Sequence, residues 1–228
     1  MTMVLRLPLS TMSKSPAKPI EVILFTTPQC PHCPSVKQIF QDYKQVHHAL
    51  DLNIYDLTQQ PEQANLYQVR SVPWFKIGDF EFQGLHTASE INYWIEHAHD
   101  DAAVIRYLID NLNDGQLNQV EKLIRQHPDW LLIAINLLAN MDAPMQARIG
   151  LGALLEGMQN DPILEPLLPK LTEFSKHKDH SIRGDACHYL GLINTPKSRA
   201  ALTDCLTDEN IDVREIAQDS LAELAALD

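Results

Sequence analysis

The hydrophobic pattern of this chain changes its period once, near residue 98. Before that point, β-branched runs such as IEVILFT (20–26) alternate with segments of helical spacing such as SVKQIFQDYKQV (35–46). After it only helical spacing is found, interrupted by turns rich in Gly, Pro, Asn or Asp. Because 228 residues can build two cores, the change of period predicts two domains of different fold class.

The first part of the chain predicts an α/β domain with the element order β-α-β-α-β-β-α. The elements that follow the first strand and helix are LDLNIYDL (50–57), PEQANLYQV (61–69), VPWFKIG (72–78), FEFQG (80–84) and TASEINYWIEHA (87–98). Proline opens the second helix, as it does in many first helical turns. Thr87 or Ser89 is suited to cap the last helix.

The second part predicts an all-α domain. Its helical segments are expected at 101–112, 116–126, 129–140, 144–158, 162–176, 180–193, 196–206 and 211–226. Two of them repeat: SIRGDACHYL (181–190) and DVREIAQDSL (212–221) align Arg183 with Arg214 at a period of 31 residues. A weaker copy places Arg148 35 residues before Arg183.

These repeats resemble short HEAT-like repeats, whose helix pairs stack into a curved solenoid. The resemblance covers about residues 142–226 and extends more weakly over 101–141. One helix pair cannot bury its apolar face alone, so the stack supplies the core and leaves a concave face for partners. We therefore predict a protein-binding array, and the alternative is a module for oligomerisation or stability.

The pattern gives three predicted regions: a flexible leader (1–19), an α/β domain (20–99) and a helical repeat domain (100–228). The boundary is placed between His97 and Asp101, where HAHDDAA interrupts the apolar stripe. Met12 is an alternative start. No stretch reaches the roughly 18 apolar residues of a membrane helix, and the leader shows no small-residue cleavage site. A cytoplasmic protein without a membrane partner is expected.

Charge is distributed unevenly along the chain. Residues 1–19 carry +3, residues 20–99 carry −5 and residues 100–228 carry −10, for a total of −12. Nucleic acid is disfavoured as a partner, because binding phosphates requires a basic face. An acidic surface favours a partner with a basic face.

The segment TTPQCPHCPSV (26–36) places Cys30 and Cys33 at a predicted strand-to-helix junction. A structural zinc site usually needs a second ligand pair, and the sequence offers none with suitable spacing, so a reactive dithiol is favoured and no metal is expected. Unpaired N–H groups and the helix dipole at this position would lower the pKa of Cys30. Pro31 is expected in the first helical turn, with Pro34 deeper and kinking the helix. A protonated His32 would stabilise the thiolate.

The two remaining cysteines are expected to be structural. Cys187 aligns with Gln218 in the repeat, which predicts a helix flank, whereas Cys205 lies on an apolar stripe. Buried free cysteine behaves as a small hydrophobe. A redox role for this pair is therefore the less favoured interpretation.

Residues 20–98 resemble the thioredoxin and glutaredoxin superfamily. ILFTTPQCPHCP together with YQVRSVPWFKIGDFEFQG is most similar to the small archaeal-type glutaredoxin-like thioredoxins. The resemblance implies that Cys30 is the attacking thiol and Cys33 the resolving thiol. It also implies that Val72 and a cis Pro73 present their backbone to an extended substrate segment. Trp74, next to this loop, is expected mainly to pack, with substrate contact as a second role.

The sequence departs from parts of that superfamily. Thioredoxins proper carry a buried acid where this chain has Leu24, so the proton of Cys33 must pass to water or another group. Glutathione-dependent glutaredoxins carry a Gly-Gly pair and an Asp, whereas QGLHTASE offers only Gly84. Glutathione dependence is therefore disfavoured, no cofactor is expected, and the electron donor is left unidentified.

Together these features predict a thiol-disulfide oxidoreductase whose helical repeats select a protein client. Cys30 would attack a client disulfide and Cys33 would release the mixed disulfide. The alternative is a holdase with the layout of chaperedoxins, or a redox-gated adaptor, in which catalysis is secondary.

Overall fold

The computed structural model describes residues 19–47 and 50–226. It divides into two compact units, Met1–Asp100 and Asp101–Asp228. The predicted flexible leader, apart from Pro19, and the alternative start at Met12 lie outside the described residues. None of the helices in the described ranges is both long and apolar enough to cross a membrane.

The first unit is an α/β domain with the predicted element order. Its elements are β1 (Ile20–Thr26), α1 (Cys33–Val46), β2 (Leu50–Asp56), α2 (Pro61–Leu66), β3 (Trp74–Ile77), β4 (Phe80–Gln83) and α3 (Ala88–Glu96). The four strands form one sheet in the order β2-β1-β3-β4. β1 is parallel to β2 and antiparallel to β3, and β3 is antiparallel to β4. This mixed sheet confirms the predicted thioredoxin-like fold class.

The central strand β1 is apolar on both faces because both faces are covered. Leu24 is fully buried and pairs with Phe75 of β3, whose ring contacts Phe40 of α1 at 5.3 Å between centroids. On the opposite face, Phe25 pairs with Trp74 and packs into an aromatic cluster. A strand buried on both sides reads as a continuous apolar run rather than an alternating one, which explains IEVILFT.

Local sequence features account for the turn between β3 and β4 and for the start of α3. Gly78 has a φ of +55°, a left-handed conformation that glycine adopts without steric cost, and it lies in the turn between β3 and β4. Thr87 caps α3 in a capping box: its hydroxyl accepts a hydrogen bond from the Glu90 N–H, and the Glu90 carboxylate accepts one from the Thr87 N–H. Of the two residues that the sequence offered as a cap, the structure uses Thr87.

The second unit is all α-helical and confirms the predicted HEAT-like fold class. Its elements are α4 (Asp101–Asn113), α5 (Leu117–Gln126), α6 (Asp129–Ala134), a 3-10 turn (Ile135–Leu137), α7 (Met145–Gly157), a 3-10 segment (Pro162–Leu167), α8 (Leu168–Phe174), α9 (His180–Leu192), α10 (Pro196–Cys205) and α11 (Ile211–Ala225). Two predicted helices, 129–140 and 162–176, are partly 3-10 in the structure. In the second, Pro166 lies inside the segment and offers no N–H for a helical hydrogen bond.

Arg183 and Arg214, the arginines of the two clearer repeats, have one structural task in common. Arg183 donates from Nη1 to the carbonyl oxygens six and five residues before it, at 2.9 and 3.3 Å. Arg214 donates from Nη1 to the two carbonyl oxygens at the same offsets, at 2.7 and 3.1 Å. Each arginine satisfies the turn that precedes its helix, which accounts for the 31-residue period.

Helices α7, α9 and α11 lie side by side, with α9 in contact with both of the others. Glycines permit this close approach: a Cβ on Gly152 would lie 2.7 Å from the Tyr189 hydroxyl, and one on Gly191 would lie 2.8 Å from Ser220 Cβ. We call these three helices the repeat layer.

The position of Cys187 corrects the prediction of a helix flank, because its side chain is completely buried. Gln218, which aligns with it in α11, is exposed. The difference arises because α9 lies between two neighbouring helices, so the flank that is open in α11 is covered in α9. Cys205 is buried, as predicted.

Candidate active site

Cys30, in the loop after β1, forms a disulfide with Cys33, the first residue of α1, and their Cα atoms are 5.5 Å apart. The backbone N–H of Cys30 donates to the Thr27 carbonyl at 3.2 Å, which fixes the loop ahead of the first cysteine. Cys30 is 9% exposed and Cys33 is 3% exposed. The second cysteine is thus the more completely enclosed of the two.

Helix α1 begins at Cys33, later than predicted. His32 is its N-cap residue and makes no capping hydrogen bond through its side chain, and Pro34 occupies the first turn. The expectation that Pro31 starts the helix and Pro34 kinks it is therefore wrong. Proline is tolerated in the first turn because the N–H groups there have no helical partner. Pro31 and His32 are both exposed at the helix entrance.

The first turn of α1 points a backbone donor at the first cysteine. The N–H of Cys33 donates to the Cys30 sulfur at 3.1 Å. N–H groups at a helix start have no acceptor within the helix, and they carry the positive end of the helix dipole. In the reduced protein, the same geometry favours negative charge on Cys30.

The loop before β3 lies at the same edge of the sheet as the dithiol. Phe25 near the end of β1 pairs with Trp74 at the start of β3, so the segments after Phe25 and before Trp74 leave the sheet together. The peptide bond between Val72 and Pro73 is cis, as the resemblance implies. The topology therefore brings Cys30 and the Val72–Pro73 bond to one edge.

In the loop before β3, the backbone of Pro73 is hydrogen-bonded within the described residues of the domain, whereas the backbone of Val72 is not. The carbonyl oxygen of Pro73 accepts from the N–H of Gly84 at 2.8 Å. Val72 is half-buried, and within the described part of the chain its backbone N–H and C=O make no hydrogen bond. Both groups are thus available to another strand.

Trp74 is enclosed in the aromatic cluster on the face of the sheet away from α1. Its side chain is 6% exposed, and its ring lies 5.4 Å from that of Phe25 and 6.0 Å from that of Tyr67. Tyr55 stacks on Phe25 and completes the cluster. Sequence reasoning missed the two tyrosines, although both lie in segments that it assigned to a strand and a helix, LDLNIYDL and PEQANLYQV.

The position at which thioredoxins proper carry a buried acid holds an apolar side chain here. Residue 24 is the fully buried Leu24. Burial raises the pKa of Tyr67, and the negative charge of Glu21 raises it further, so its phenol stays protonated at neutral pH. Within residues 19–47 and 50–226, no group of three His, Cys, Asp or Glu side chains is placed to hold a metal ion.

The second pair of cysteines has different surroundings. Cys187 and Cys205 are free thiols, and both are buried. Cys187 donates its S–H to the Cys205 sulfur, and this hydrogen bond, together with burial, raises the pKa of Cys187. The Cys205 thiol also donates to the Ala201 carbonyl at 3.3 Å. These thiols fill space in the core of the second unit and lack the helix-start environment of Cys30.

Comparisons with known proteins agree with this division. Residues 18–96 match a family model described as a thioredoxin domain, and residues 122–222 match one described as HEAT repeats. A thioredoxin from Methanocaldococcus jannaschii is 33% identical over 70 residues, which cover 30% of this chain and 82% of that protein. The predicted resemblance to an archaeal-type thioredoxin joined to HEAT-like repeats is confirmed.

Proposed function

Because the chain belongs to the thioredoxin family and carries HEAT repeats after its thioredoxin domain, we propose that it is a thiol-disulfide oxidoreductase acting on protein clients. Family membership itself indicates a thiol redox role. The observation that carries the finer proposal is the hydrogen bond from the Cys33 N–H to the Cys30 sulfur at 3.1 Å. It distinguishes the two sulfurs and supports our assignment of Cys30 as the nucleophile.

In the proposed first step, the Cys30 thiolate attacks one sulfur of a client disulfide. A bond forms between Cys30 and that sulfur, the client disulfide breaks, and the second client sulfur leaves as a thiolate. The N–H at the start of α1 and the helix dipole stabilise the attacking thiolate. A protonated His32, exposed beside it, adds positive charge at the entrance.

In the second step, Cys33 loses its proton and attacks the Cys30 sulfur of the mixed disulfide. The Cys30–Cys33 disulfide forms and the client leaves as a dithiol, so two electrons pass from the protein to the client. The product state is the disulfide present in this structure. Since Leu24 stands where an acid would act, the proton of Cys33 passes to water.

Client binding at this edge uses backbone pairing in our proposal. The N–H and C=O of Val72 make no internal hydrogen bond within the described residues, and an extended client segment can pair with them as an added strand. Pro73 holds the loop through its bond with Gly84. Trp74 acts from beneath by packing, because it is 6% exposed.

The HEAT repeats are assigned to client selection, which is also part of the proposal. An extended segment at the Val72 loop is a small contact, whereas specific protein interfaces bury on the order of 1,200–2,000 Å². The repeats offer additional area. We place the reaction in the cytoplasm, where a dithiol reductase encounters disulfides that are formed and reduced repeatedly.

The decisive experiment is a trap with Cys33→Ala in the full chain. Removing the resolving thiol leaves the mixed disulfide between Cys30 and the client intact, so clients are recovered covalently and released by a reductant. Cys30→Ser is the matched control and should recover none. Equal recovery by the two variants would contradict the assigned roles.

A holdase remains the second candidate, favoured by the exposed apolar side chains of Met141, Met145 and Ile149 in the repeat unit. Its discriminating test uses Cys30→Ser/Cys33→Ser. If the protein is a holdase, this variant still suppresses client aggregation. If it is an oxidoreductase, its function is lost together with insulin reduction, because both thiols are removed.

A further inference from the structure

One surface of the repeat unit combines exposed apolar side chains with acids that form no ion pair with any residue in 19–47 or 50–226. Met145 and Ile149 are 69% and 64% exposed, and they lie four residues apart, on one side of α7. Met141, in the turn before α7, is 60% exposed. Apolar side chains exposed in such proximity mark interaction sites more often than isolated ones do.

The apolar strip lies at one side of the repeat layer, and acids follow on the next helices. Asp185 and His188 of α9 face α7, where they approach Arg148 and Glu156 at 4.0 and 3.1 Å. These contacts show that α7 and α9 present adjoining edges. The apolar side chains of Met145 and Ile149 on α7 are therefore followed, on α9, by the polar side chains of Asp185 and His188.

Helix α11 contributes the unbalanced charge. Its exposed acids are Asp212, Glu215, Asp219 and Glu223. In the described part of the chain, none of the four forms an ion pair with Lys, Arg or His. Aligned on Arg148, Arg183 and Arg214, the positions of Ile149, Gly184 and Glu215 are equivalent. The equivalent position is thus apolar in α7 and acidic in α11.

We propose that the outer face of the repeat layer binds a basic protein segment, with apolar side chains on α7 and Lys or Arg side chains on α11. The inference rests on the proposed function and names the surface and the chemistry of its client. Methionine suits such a site because its flexible side chain adapts to different apolar partners. The unpaired acids select for positive charge and against acidic segments.

The spacing of the helices sets the pattern of the segment. Neighbouring helices lie about 9 Å apart, so α7 and α11 are separated by about 18 Å. An extended chain advances about 3.3 Å per residue, so apolar and basic side chains separated by about five residues span the layer.

The test measures binding of a labelled extended peptide to the full chain by fluorescence anisotropy. The peptide carries two leucines and two lysines separated by about five residues. Binding is expected to weaken at least about tenfold with Met145→Ser/Ile149→Ser and with Glu215→Gln/Asp219→Asn. A peptide with glutamate in place of lysine should not bind.

Matched control variants change exposed residues of the same unit outside the repeat layer. Leu206→Ser removes an apolar side chain that is 38% exposed after α10, and Glu165→Gln/Asp204→Asn removes two exposed acids. Both should bind the peptide as the unaltered chain does. Thermal unfolding confirms that each variant is folded, as expected for changes at exposed positions.

Equal affinity for all variants would overturn the proposal. If the peptide bound only after residues 1–18 were removed, that segment would be the occupant of the surface and the proposal would be overturned. A dimer of the chain that Met145→Ser/Ile149→Ser dissociates would also overturn it, because the occupant would then be a second copy. Peptide binding is measured with Cys30→Ser/Cys33→Ser, so it does not depend on catalysis. Insulin reduction by the unaltered dithiol reports separately on the proposed function.

Discussion

The guanidinium of Arg183 forms two parallel hydrogen bonds with the carboxylate of Asp208, from Nε at 2.7 Å and from Nη2 at 2.8 Å. The two side chains are 8% and 10% exposed. The pair joins α9 to the turn before α11, 25 residues away in sequence. A bidentate pair of this kind fixes orientation as well as distance, so it holds two repeats in register.

Breaking this pair should destabilise the repeat unit. Asp208→Asn removes the buried carboxylate of this pair and leaves only the exposed Glu209, 3.3 Å from Nη2, as a charge partner. Losing one partner of a buried pair typically costs about 3–5 kcal/mol. Urea unfolding followed by circular dichroism measures the change. The control is Glu173→Gln, which removes the exposed partner of Lys170 and should cost less than about 1 kcal/mol. Equal losses would show that Asp208 does not hold the repeats together.

The same pair should make stability depend on acid. The hydrogen bond from Arg183 holds the pKa of Asp208 below its ordinary value. A carboxyl whose pKa is lowered by folding contributes stability above its unfolded pKa of about 3.9, and that stability is lost as pH falls through the folded pKa. The urea concentration at the unfolding midpoint should therefore decrease as the pH is lowered below about 4. In Asp208→Asn, this decrease with pH should be less steep. An unchanged slope would contradict the assignment.

The two thiols of the reduced protein should differ in reactivity. Cys30 receives the N–H of Cys33 at a helix start, so its pKa should lie below the roughly 8.5 of a free cysteine. Iodoacetamide at neutral pH, with mass spectrometry of the labelled peptides, should therefore modify Cys30 first. Equal alkylation rates for Cys30 and Cys33 would remove the asymmetry on which the mechanism depends.

Much of the fold could be predicted because local patterns and burial agreed. The strand-to-helix junction at Cys30, the order of the seven elements in the first unit and the arginine repeat all follow from period and spacing. The start of α1 was misplaced because three prolines between residues 28 and 34 offer several acceptable first turns. Only the folded backbone shows that Cys33 opens the helix.

What could not be predicted depends on contacts between distant segments. Cys187 aligns with an exposed glutamine, yet it is buried because α9 has a neighbour on each side. The pairing of Arg183 with Asp208 requires knowing which turn reaches which helix. The exposure of Met145 and Ile149 was likewise hidden, since an apolar helical stripe indicates burial unless the neighbouring element is known.

A fragment of residues 1–99 should fold without the repeats. The sheet and its three helices belong to one compact unit that ends at Asp100, and its core residues such as Leu24 and Phe75 are fully buried. Circular dichroism and reduction of a small disulfide test the expectation. If the fragment is unfolded while the full chain is folded, the repeats complete its core and the predicted boundary between His97 and Asp101 is wrong.

The repeats should determine which clients are captured, and removing them should separate chemistry from selection. Deleting residues 100–228 leaves Cys30 and the Val72 loop unchanged, so reduction of a small disulfide should stay nearly constant. Capture of natural clients by the Cys33→Ala form should fall sharply, because the truncated protein retains only a small backbone contact.

The deleted region carries a net charge of −10, and its attraction for basic clients is screened by salt. Client association with the full chain should therefore slow between about 50 and 300 mM salt, while the truncated protein shows little change. The same clients captured in the same yield by both forms would show that the repeats do not select clients, and oligomerisation or stability would then be their role.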